Sequence, residues 1–267
     1  MSNLASRVLS AVVAIPILVA LILWHQRLGF GALVFACSAL GMREFTAMLL
    51  PGASRALRLT VVLVGTGLTI GLYFHPDLAL LCILAALVLG GTAVLTNPGE
   101  ISGAAARLGI VFLGLLYVGG LTAAIGLLHR LTVDGPLWVL TVIIATFSND
   151  TGAYFAGRAF GRHKLYPAIS PGKTVEGAVG GLVACVAALF ALRATVFPAL
   201  GTSGCLLVAL PASILGPIGD LVESMLKRSA GVKDSGHLIP GHGGLLDRLD
   251  ALLFVGAWVY AYALHLR

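Results

Sequence analysis

The chain has 267 residues, of which 58% are hydrophobic and only 10% are charged. Its mean hydropathy is +1.00, whereas about a quarter of the residues in a typical soluble domain are charged. This composition excludes a soluble globular domain and favours an integral membrane protein. The net charge of +6 is not concentrated in an extended basic tract, so we expect no nucleic-acid partner.

Nine apolar segments are long enough to cross a bilayer as helices, for which about 20 residues are needed. They cover residues 7–24, 29–50, 57–74, 78–95, 108–128, 136–156, 174–196, 204–227 and 249–266. Arg43 and Glu44 interrupt the second segment, so we expect it to bend or to end at the interface. The sequence therefore predicts an all-α polytopic membrane protein with about nine transmembrane helices. Five of them form a region over 1–130, and the other four form a second region over 131–267.

Lysine and arginine indicate the orientation, because they accumulate in cytoplasmic loops. With nine helices, 13 of the 17 Lys and Arg residues fall on the side that holds the amino terminus. The two long polar loops, at about 157–173 and 228–248, lie on the same side. We therefore expect a cytoplasmic amino terminus and an outward carboxyl terminus. The 34 glycines suit close helix packing in lipid and are compatible with a homodimer.

Aspartates occur near the predicted cytoplasmic ends of several helices, where an unpaired carboxylate costs at least a few kcal/mol. Asp220 is seven residues, or about 10 Å of helix, deeper than Lys227. Its helical face also carries Ser224. Asp150 lies at a similar depth within the polar run 148–151, part of which must line a cavity or the bundle interior. A structural ion pair of Asp220 with Lys227 or an arginine is the alternative to a functional role.

Asp247 and Asp250 are three residues apart at the start of the last helix and share one face. Carboxylates near one interface repel each other unless a cation lies among them, and Mg²⁺ prefers oxygen ligands and phosphates. We therefore predict that Asp220 and Asp247 bind one Mg²⁺. Asp250 could instead cap the helix or pair with Arg248.

The loop before the seventh helix ends in the turn Pro171–Thr174. Its Gly-Lys-Thr resembles the end of a Walker A loop, but position 167, where that motif needs a glycine, is proline. We reject a P-loop and predict a simpler phosphate site, formed by Lys173 and the free N–H groups of the helix start. A lysine that only anchors the cytoplasmic side is the alternative. Close helix packing accounts for Gly177, Gly180 and Gly181.

The second loop contains His242, Gly243 and Gly244, a turn of low bulk that backbone and ligand can approach closely. His242 could bind phosphate or carry a proton, or it could simply be solvated.

The run from Ser224 to Asp250 resembles the pattern S-x-x-K-R-x4-K-D-x-G-x2-[LIF]-P-x-H-G-G-x-x-D-R-x-D of the phosphatidate cytidylyltransferase (CDP-diacylglycerol synthase) family. Its fixed positions are filled by Ser224, Lys227, Arg228, Lys233, Asp234, Gly236, Pro240, His242, Gly243, Gly244, Asp247, Arg248 and Asp250. The upstream run is similar to a second block of that family, in Asp150, Gly152, Ala153, Tyr154, Gly157, Arg158, Lys164, Leu165, Ser170, Pro171, Lys173, Thr174 and Gly177.

The resemblance implies transfer of CMP from CTP to phosphatidate with Mg²⁺, at the cytoplasmic face of the bacterial inner membrane. Whether a second cation such as K⁺ binds beside Mg²⁺ stays open. The metal ligands implied are Asp220 and Asp247, with Asp250 as a third candidate. The catalytic set implied is Asp220, Asp247, Lys227, Arg228 and Arg248. All five lie in the region 131–267, which is therefore the expected catalytic region. The substrate-binding set implied is Asp150, Lys164, Ser170, Lys173, Thr174, Ser224, Lys233, His242, Gly243 and Gly244.

Two other functions remain open at this point. A CTP-dependent lipid kinase or an ether-lipid cytidylyltransferase would use similar residues, and in a kinase Asp150 or His242 could serve as the base. An ion-coupled transporter could use Asp150 and Asp220 as its coupling pair. Transporters often have broken helices at corresponding positions in two repeated halves. Here Pro217 is predicted to break the eighth segment, but the first half of the chain has no matching broken segment, which argues against a transporter.

Overall fold

The computed structural model describes residues 16–23, 27–238 and 243–266. The helices are α1 (16–23), α2 (Arg27–Leu49), α3 (Arg55–Phe74), α4 (Ala79–Thr96), α5 (Ala104–Gly114), α6 (Leu121–Leu131), α7 (Gly135–Phe160), α8 (Val175–Thr195), α9 (Gly201–Ser229) and α10 (Leu246–Ala261). A π-helical turn at Leu115–Gly120 joins α5 to α6, and a second one at Tyr262–Leu266 extends α10.

Six stretches of described helix are long and apolar enough to cross a membrane. They are Leu28–Leu49, Arg55–Phe74, Pro76–Thr96, Ile101–Leu131, Val175–Thr195 and Pro198–Ser229. The predicted fold class, an all-α polytopic membrane protein, is thereby confirmed. Two further predicted spans are helices, but α10 has only 16 residues and the polar run 148–151 lowers the mean hydropathy of α7. Most of the first predicted span, 7–24, lies outside the described residues.

Backbone contacts divide the chain into two compact units. The first comprises Met1–Leu127 together with Ser229–Asp247, and the second comprises Leu128–Arg228 together with Arg248–Arg267. The predicted functional division into 1–130 and 131–267 stays a prediction.

Small residues bring the helices of the first unit close together. A Cβ atom on Gly119 would lie 2.8 Å from the carbonyl oxygen of Gly65. The Thr69 hydroxyl donates to the carbonyl of Gly119 at 2.8 Å and lies 2.7 Å from the hydroxyl of Ser38. Because apolar side chains gain little from association in lipid, such close contacts and buried hydrogen bonds provide much of the stabilisation.

The second unit is built on the packing of α7 against α8 through glycine faces. A Cβ on Gly177 would lie 2.8 Å from the carbonyl oxygen of Ala153, and one on Gly181 would lie 2.6 Å from Asn149 Oδ1. A Cβ on Gly180 would collide with the side chain of Ala156. The assignment of these three α8 glycines to helix packing is confirmed.

A short antiparallel hairpin lies between α7 and α8, within the polar loop predicted at about 157–173. Strand β1 (Lys164–Tyr166) pairs with β2 (Ser170–Thr174), and Lys164 lies opposite Thr174. Strands of three and five residues are too short to show an alternating hydrophobic pattern, so periodicity could not reveal them. The loop also begins later than expected, because α7 continues to Phe160.

Both ends of this hairpin are tied to α8. The Thr174 hydroxyl accepts the Gly177 N–H at 3.1 Å and so caps the helix. The Glu176 carboxylate accepts the backbone N–H groups of Arg162 and His163 and lies 2.6 Å from His163 Nδ1. The hairpin therefore holds Lys173, the residue before the cap, at a fixed distance from the start of α8.

Helix α9 continues through both Pro211 and Pro217. The expected break of the eighth segment at Pro217 is therefore wrong. Likewise, α2 continues past Arg43 and Glu44 to Leu49, so the second segment does not end at these charges.

Candidate active site

The second unit contains an open cavity of about 650 Å³ bounded by α7, the hairpin, α8 and α9. Its volume lies within the range of about 300–1,000 Å³ that is usual for small-molecule sites. The predicted site residues that line it are Asp150, Ser170, Lys173, Thr174 and Asp220. These five residues come from α7, β2 and α9, so the fold brings Asp220 to the same cavity as residues 46 or more positions earlier in the chain.

An ion pair links the hairpin to α9 across this cavity. Lys173 Nζ lies 2.6 Å from Asp220 Oδ2, and it also donates to the carbonyl oxygen of Pro217 at 3.4 Å. The Ser224 hydroxyl, one turn further along α9, donates to Asp220 Oδ1 at 3.2 Å. Both charged side chains remain partly exposed, at 24% for Lys173 and 38% for Asp220. The pair is therefore accessible to a ligand.

Asp150 lies on α7 beside Asn149, which is only 2% exposed and also lines the cavity. In the part of the chain that the structure describes, no hydrogen-bond donor reaches the buried Oδ1 of Asn149. The polar run of α7 therefore contributes to this hollow, as expected.

A second ion pair on α9 lies deeper in the protein. Lys227 Nζ is 2.7 Å from Glu223 Oε2, and the two side chains are 10% and 1% exposed. Lys227 thus pairs with Glu223, one turn away, and Asp220 pairs with Lys173. The alternative in which Asp220 pairs with Lys227 does not match these contacts. Sequence reasoning did not place Glu223 in the site, although its i,i+4 spacing from Lys227 was a usable signal.

Asp250 on α10 lies close to these acids. A Cβ on Gly219 of α9 would lie 2.5 Å from the Asp250 carbonyl oxygen, so the two helices touch there. The carboxylate interacts electrostatically with Glu223, Asp220 and Lys227, and its Oδ1 accepts the Ala251 N–H at 2.7 Å. Asp250 thus belongs to the same acidic surroundings as Asp220.

In the first unit, Asp247 is held by the loop that precedes it. Its Oδ2 accepts the backbone N–H groups of Ser235 at 2.9 Å and Gly244 at 2.8 Å, and the Ser235 hydroxyl at 3.0 Å. Gly243 has a φ of +79°, and a Cβ there would lie 2.8 Å from Asp247 Oδ2. The small residues of this predicted turn therefore let the backbone approach the Asp247 carboxylate closely, a group of the chain itself rather than a ligand.

The other predicted residues are distributed as follows. Arg228, Lys233 and Arg248 are exposed cations, and Lys164 is an exposed residue of β1. His242 lies outside the described residues. Besides Glu223, sequence reasoning missed Glu44 of α2, whose carboxylate binds the loop near Asp247.

The donor set suits a hard divalent cation. Asp150 and Asp220 both line one cavity, and carboxylate oxygens are the kind of ligand that Mg²⁺ prefers. Over residues 16–23, 27–238 and 243–266, no three His, Cys, Asp or Glu side chains form a group that could hold a metal alone. Mg²⁺ needs fewer, because it usually retains waters and binds substrate phosphates. The predicted joint ligation by Asp220 and Asp247 involves both units and stays a prediction.

The fold and the site together define a polytopic helical membrane protein with a polar cavity lined by lysine, arginine and aspartate side chains. The chain matches the model of the Cytidylyltransferase family over residues 5–266. The chain therefore belongs to this family of nucleotidyltransferases, which confirms the resemblance seen in the sequence.

Two curated relatives match this chain along nearly its whole length. The chain is 34% identical to the phosphatidate cytidylyltransferase of Bacillus subtilis (strain 168) over 275 residues, which cover 97% of each chain. It is 35% identical to that of Brucella suis biovar 1 (strain 1330) over 266 residues, which cover 98% of this chain and 94% of the relative. A match to the phosphatidate cytidylyltransferase of Staphylococcus haemolyticus (strain JCSC1435) is shorter, at 48% identity over 122 residues and 46% of this chain.

Proposed function

We propose that this chain transfers CMP from CTP to phosphatidate, releasing pyrophosphate and forming CDP-diacylglycerol for phospholipid biosynthesis. Two relatives that match nearly its whole length are named phosphatidate cytidylyltransferase. The observation that carries the proposal is the ion pair of Lys173 and Asp220 in a cavity among apolar helices. It combines a cation suited to phosphate with a carboxylate suited to a metal.

The reaction demands positioning and positive charge rather than a strong base. The attacking phosphate oxygen of phosphatidate is already ionised near neutral pH, and two anionic substrates must be brought together. Lys173 has three N–H donors and uses two on Asp220 and the Pro217 carbonyl, so a third can bind a phosphate oxygen. Arg158 lines the same cavity and is positioned by the Tyr154 hydroxyl at 3.1 Å. Its guanidinium suits a bidentate grip on phosphate.

Asp220 and Asp247 are the proposed metal ligands, with Asp250 as a third candidate. Mg²⁺, when bound, polarises the α-phosphate and offsets negative charge on the leaving pyrophosphate. The chain itself orients the two carboxylates. Ser224 donates to Asp220, while Ser235 and Gly244 donate to Asp247.

The cavity also offers an apolar wall for the lipid. Tyr154, Leu165 and Ala178 line it beside the charged groups. The acyl chains of phosphatidate could thus stay in the bilayer while its headgroup reaches Lys173. We place this site at the cytoplasmic face of the inner membrane, because most Lys and Arg residues fall on the side of the polar loops.

Purified full-length protein given phosphatidate, Mg²⁺ and CTP labelled in either the α- or the γ-phosphate tests the proposal. We expect the α-label in the lipid product and the γ-label in pyrophosphate. The γ-label in lipid would reject the proposal in favour of a lipid kinase. Both labels remaining in water-soluble products would reject lipid transfer altogether.

A further inference from the structure

The Glu44 carboxylate, on a helix of the amino-terminal part, binds the backbone at the start of α10. Glu44 Oε1 accepts the Leu245 N–H at 2.9 Å, and Oε2 accepts the Leu246 N–H at 2.9 Å. Oε2 also lies 3.2 Å from the hydroxyl of Ser235, which donates to it. All these residues belong to the first unit.

This contact meets a need that every helix has. The first N–H groups of a helix lack intrahelical partners and are usually satisfied by a side chain just before it in sequence. Here a carboxylate about 200 residues away does so. Its negative charge also complements the positive end of the helix dipole. The start of α10 is therefore fixed to α2 rather than only to its own loop.

The loop is built to admit this carboxylate. A Cβ on Gly236 would lie 2.7 Å from Glu44 Oε1, and a Cβ on Gly244 would lie 2.6 Å from Oε2. Any larger residue at either position would displace Glu44. A cavity of about 360 Å³, lined in part by Glu44, Ser235 and Gly236, adjoins the contact. Because a cavity rather than packed side chains borders this part of the loop, the hydrogen bonds to Glu44 hold the loop in place there.

The same atoms orient Asp247. The Ser235 hydroxyl lies between two carboxylates, 3.2 Å from Glu44 Oε2 and 3.0 Å from Asp247 Oδ2. Backbone N–H groups of Ser235 and Gly244 hold Asp247 directly. Glu44 binds Ser235 and the two residues that follow Gly244, so both carboxylates hold the same two stretches of the loop.

We propose that Glu44 is a positioning residue for nucleotidyl transfer, which tethers Ser235 and the start of α10 and thereby sets the Asp247 carboxylate. This inference rests on the proposed function, in which Asp247 takes part in binding the metal. Residues that orient metal ligands typically contribute about 10- to 100-fold to metal affinity or activity.

The test compares Glu44→Gln with the matched control Glu100→Gln in the full-length protein. Gln keeps the size of Glu44 but turns one acceptor oxygen into an NH₂ group that faces an N–H donor. Glu100 is an exposed glutamate of the same unit. Hydrogen exchange of the Leu245 and Leu246 amides is measured together with kcat and with KM for CTP.

For Glu44→Gln we expect the two amides to exchange about tenfold faster, because a charge-assisted hydrogen bond is lost. We also expect kcat to fall about 10- to 100-fold while KM for CTP changes less than about twofold. Glu100→Gln should match wild type in all three. Unchanged exchange in Glu44→Gln would overturn the contact, and faster exchange with wild-type kcat would overturn the positioning role.

If the Glu44→Gln protein does not fold, Ser235→Ala serves as a second variant for the same test. It removes only the hydroxyl shared by the two carboxylates, and we expect kcat to fall several-fold with normal exchange at Leu245 and Leu246. A wild-type kcat in Ser235→Ala would then overturn the inference. If the wild-type protein itself transfers no CMP to phosphatidate, the proposed function fails instead, and the exchange data still decide whether Glu44 tethers α10.

Discussion

Replacing Lys173 by methionine separates catalysis from stability at the candidate site. Met keeps most of the aliphatic length of Lys173 but removes the charge that lies 2.6 Å from Asp220. Because the lysine is the ion-pair partner shown for Asp220 and lines the cavity, its loss should affect phosphate binding first. We expect normal membrane insertion and a strongly reduced turnover.

The structure indicates the relative size of the two effects. The Lys173 and Asp220 side chains are 24% and 38% exposed, so solvent screens their attraction. Partly exposed pairs contribute at most about 1 kcal/mol to the free energy of unfolding. A donor aimed at charge that develops in a transition state is worth more, about 2.7–4 kcal/mol or 10²- to 10³-fold in rate. Catalysis should therefore suffer far more than stability.

The assay measures kcat/KM for transfer of α-label from CTP into phosphatidate, alongside the thermal unfolding midpoint in detergent. Arg162→Met is the matched control, because it removes an exposed cation from the same inter-helix segment. We expect a loss of about 10²- to 10³-fold for Lys173→Met and near-normal activity for Arg162→Met. Equal losses in both variants would refute a specific role, since they would indicate only a general effect of positive charge. A Lys173→Met protein with wild-type activity would refute it outright.

Four further substitutions test other parts of the site. Asp220→Asn and Asp247→Asn should each abolish Mg²⁺-dependent turnover while the proteins stay folded, and near-normal activity of either would remove that residue from the metal site. Gly243→Ala should destabilise the folded protein by about 1–2 kcal/mol, because φ is +79° there and the added Cβ meets Asp247; an unchanged unfolding midpoint would contradict this. Glu223→Leu should lower the free energy of unfolding by about 3–5 kcal/mol, because it removes the carboxylate that pairs with the buried Lys227. The double variant Glu223→Leu/Lys227→Met should recover part of this loss. Chemical denaturation measures both, and a Glu223→Leu protein as stable as wild type would contradict the prediction.

The helices could be predicted from sequence because bilayer thickness sets their length. Uninterrupted apolar runs of about 20 residues are typical of membrane-spanning helices. Six of the nine predicted spans coincide with described helices that are long and apolar enough to cross a membrane, and their ends differ from the predicted ones by at most about seven residues. The interruption at Arg43 and Glu44 was misread for the same reason. Length and hydropathy indicate where a helix leaves lipid, but not that a charge inside it has a partner elsewhere in the protein.

The site was predicted less completely, because its partners are remote in sequence. Lys173 was predicted from the turn before the seventh helix and Asp220 from its depth in the eighth segment, yet the ion pair between them depends on the hairpin, which hydrophobic periodicity does not reveal. Glu44 is more distant still, about 200 residues from the amides it binds. By contrast, Glu223 and Lys227 lie one helical turn apart, and their spacing alone could have paired them.

The central claim is that one CMP unit passes from CTP to phosphatidate. Mass spectrometry of the lipid formed by the purified chain, combined with quantification of pyrophosphate, tests it most directly. We predict a lipid heavier than phosphatidate by one CMP unit and one pyrophosphate for each lipid formed, only when Mg²⁺ is present. A lipid that gains a single phosphate, or CTP consumed with no change in the lipid, would contradict it.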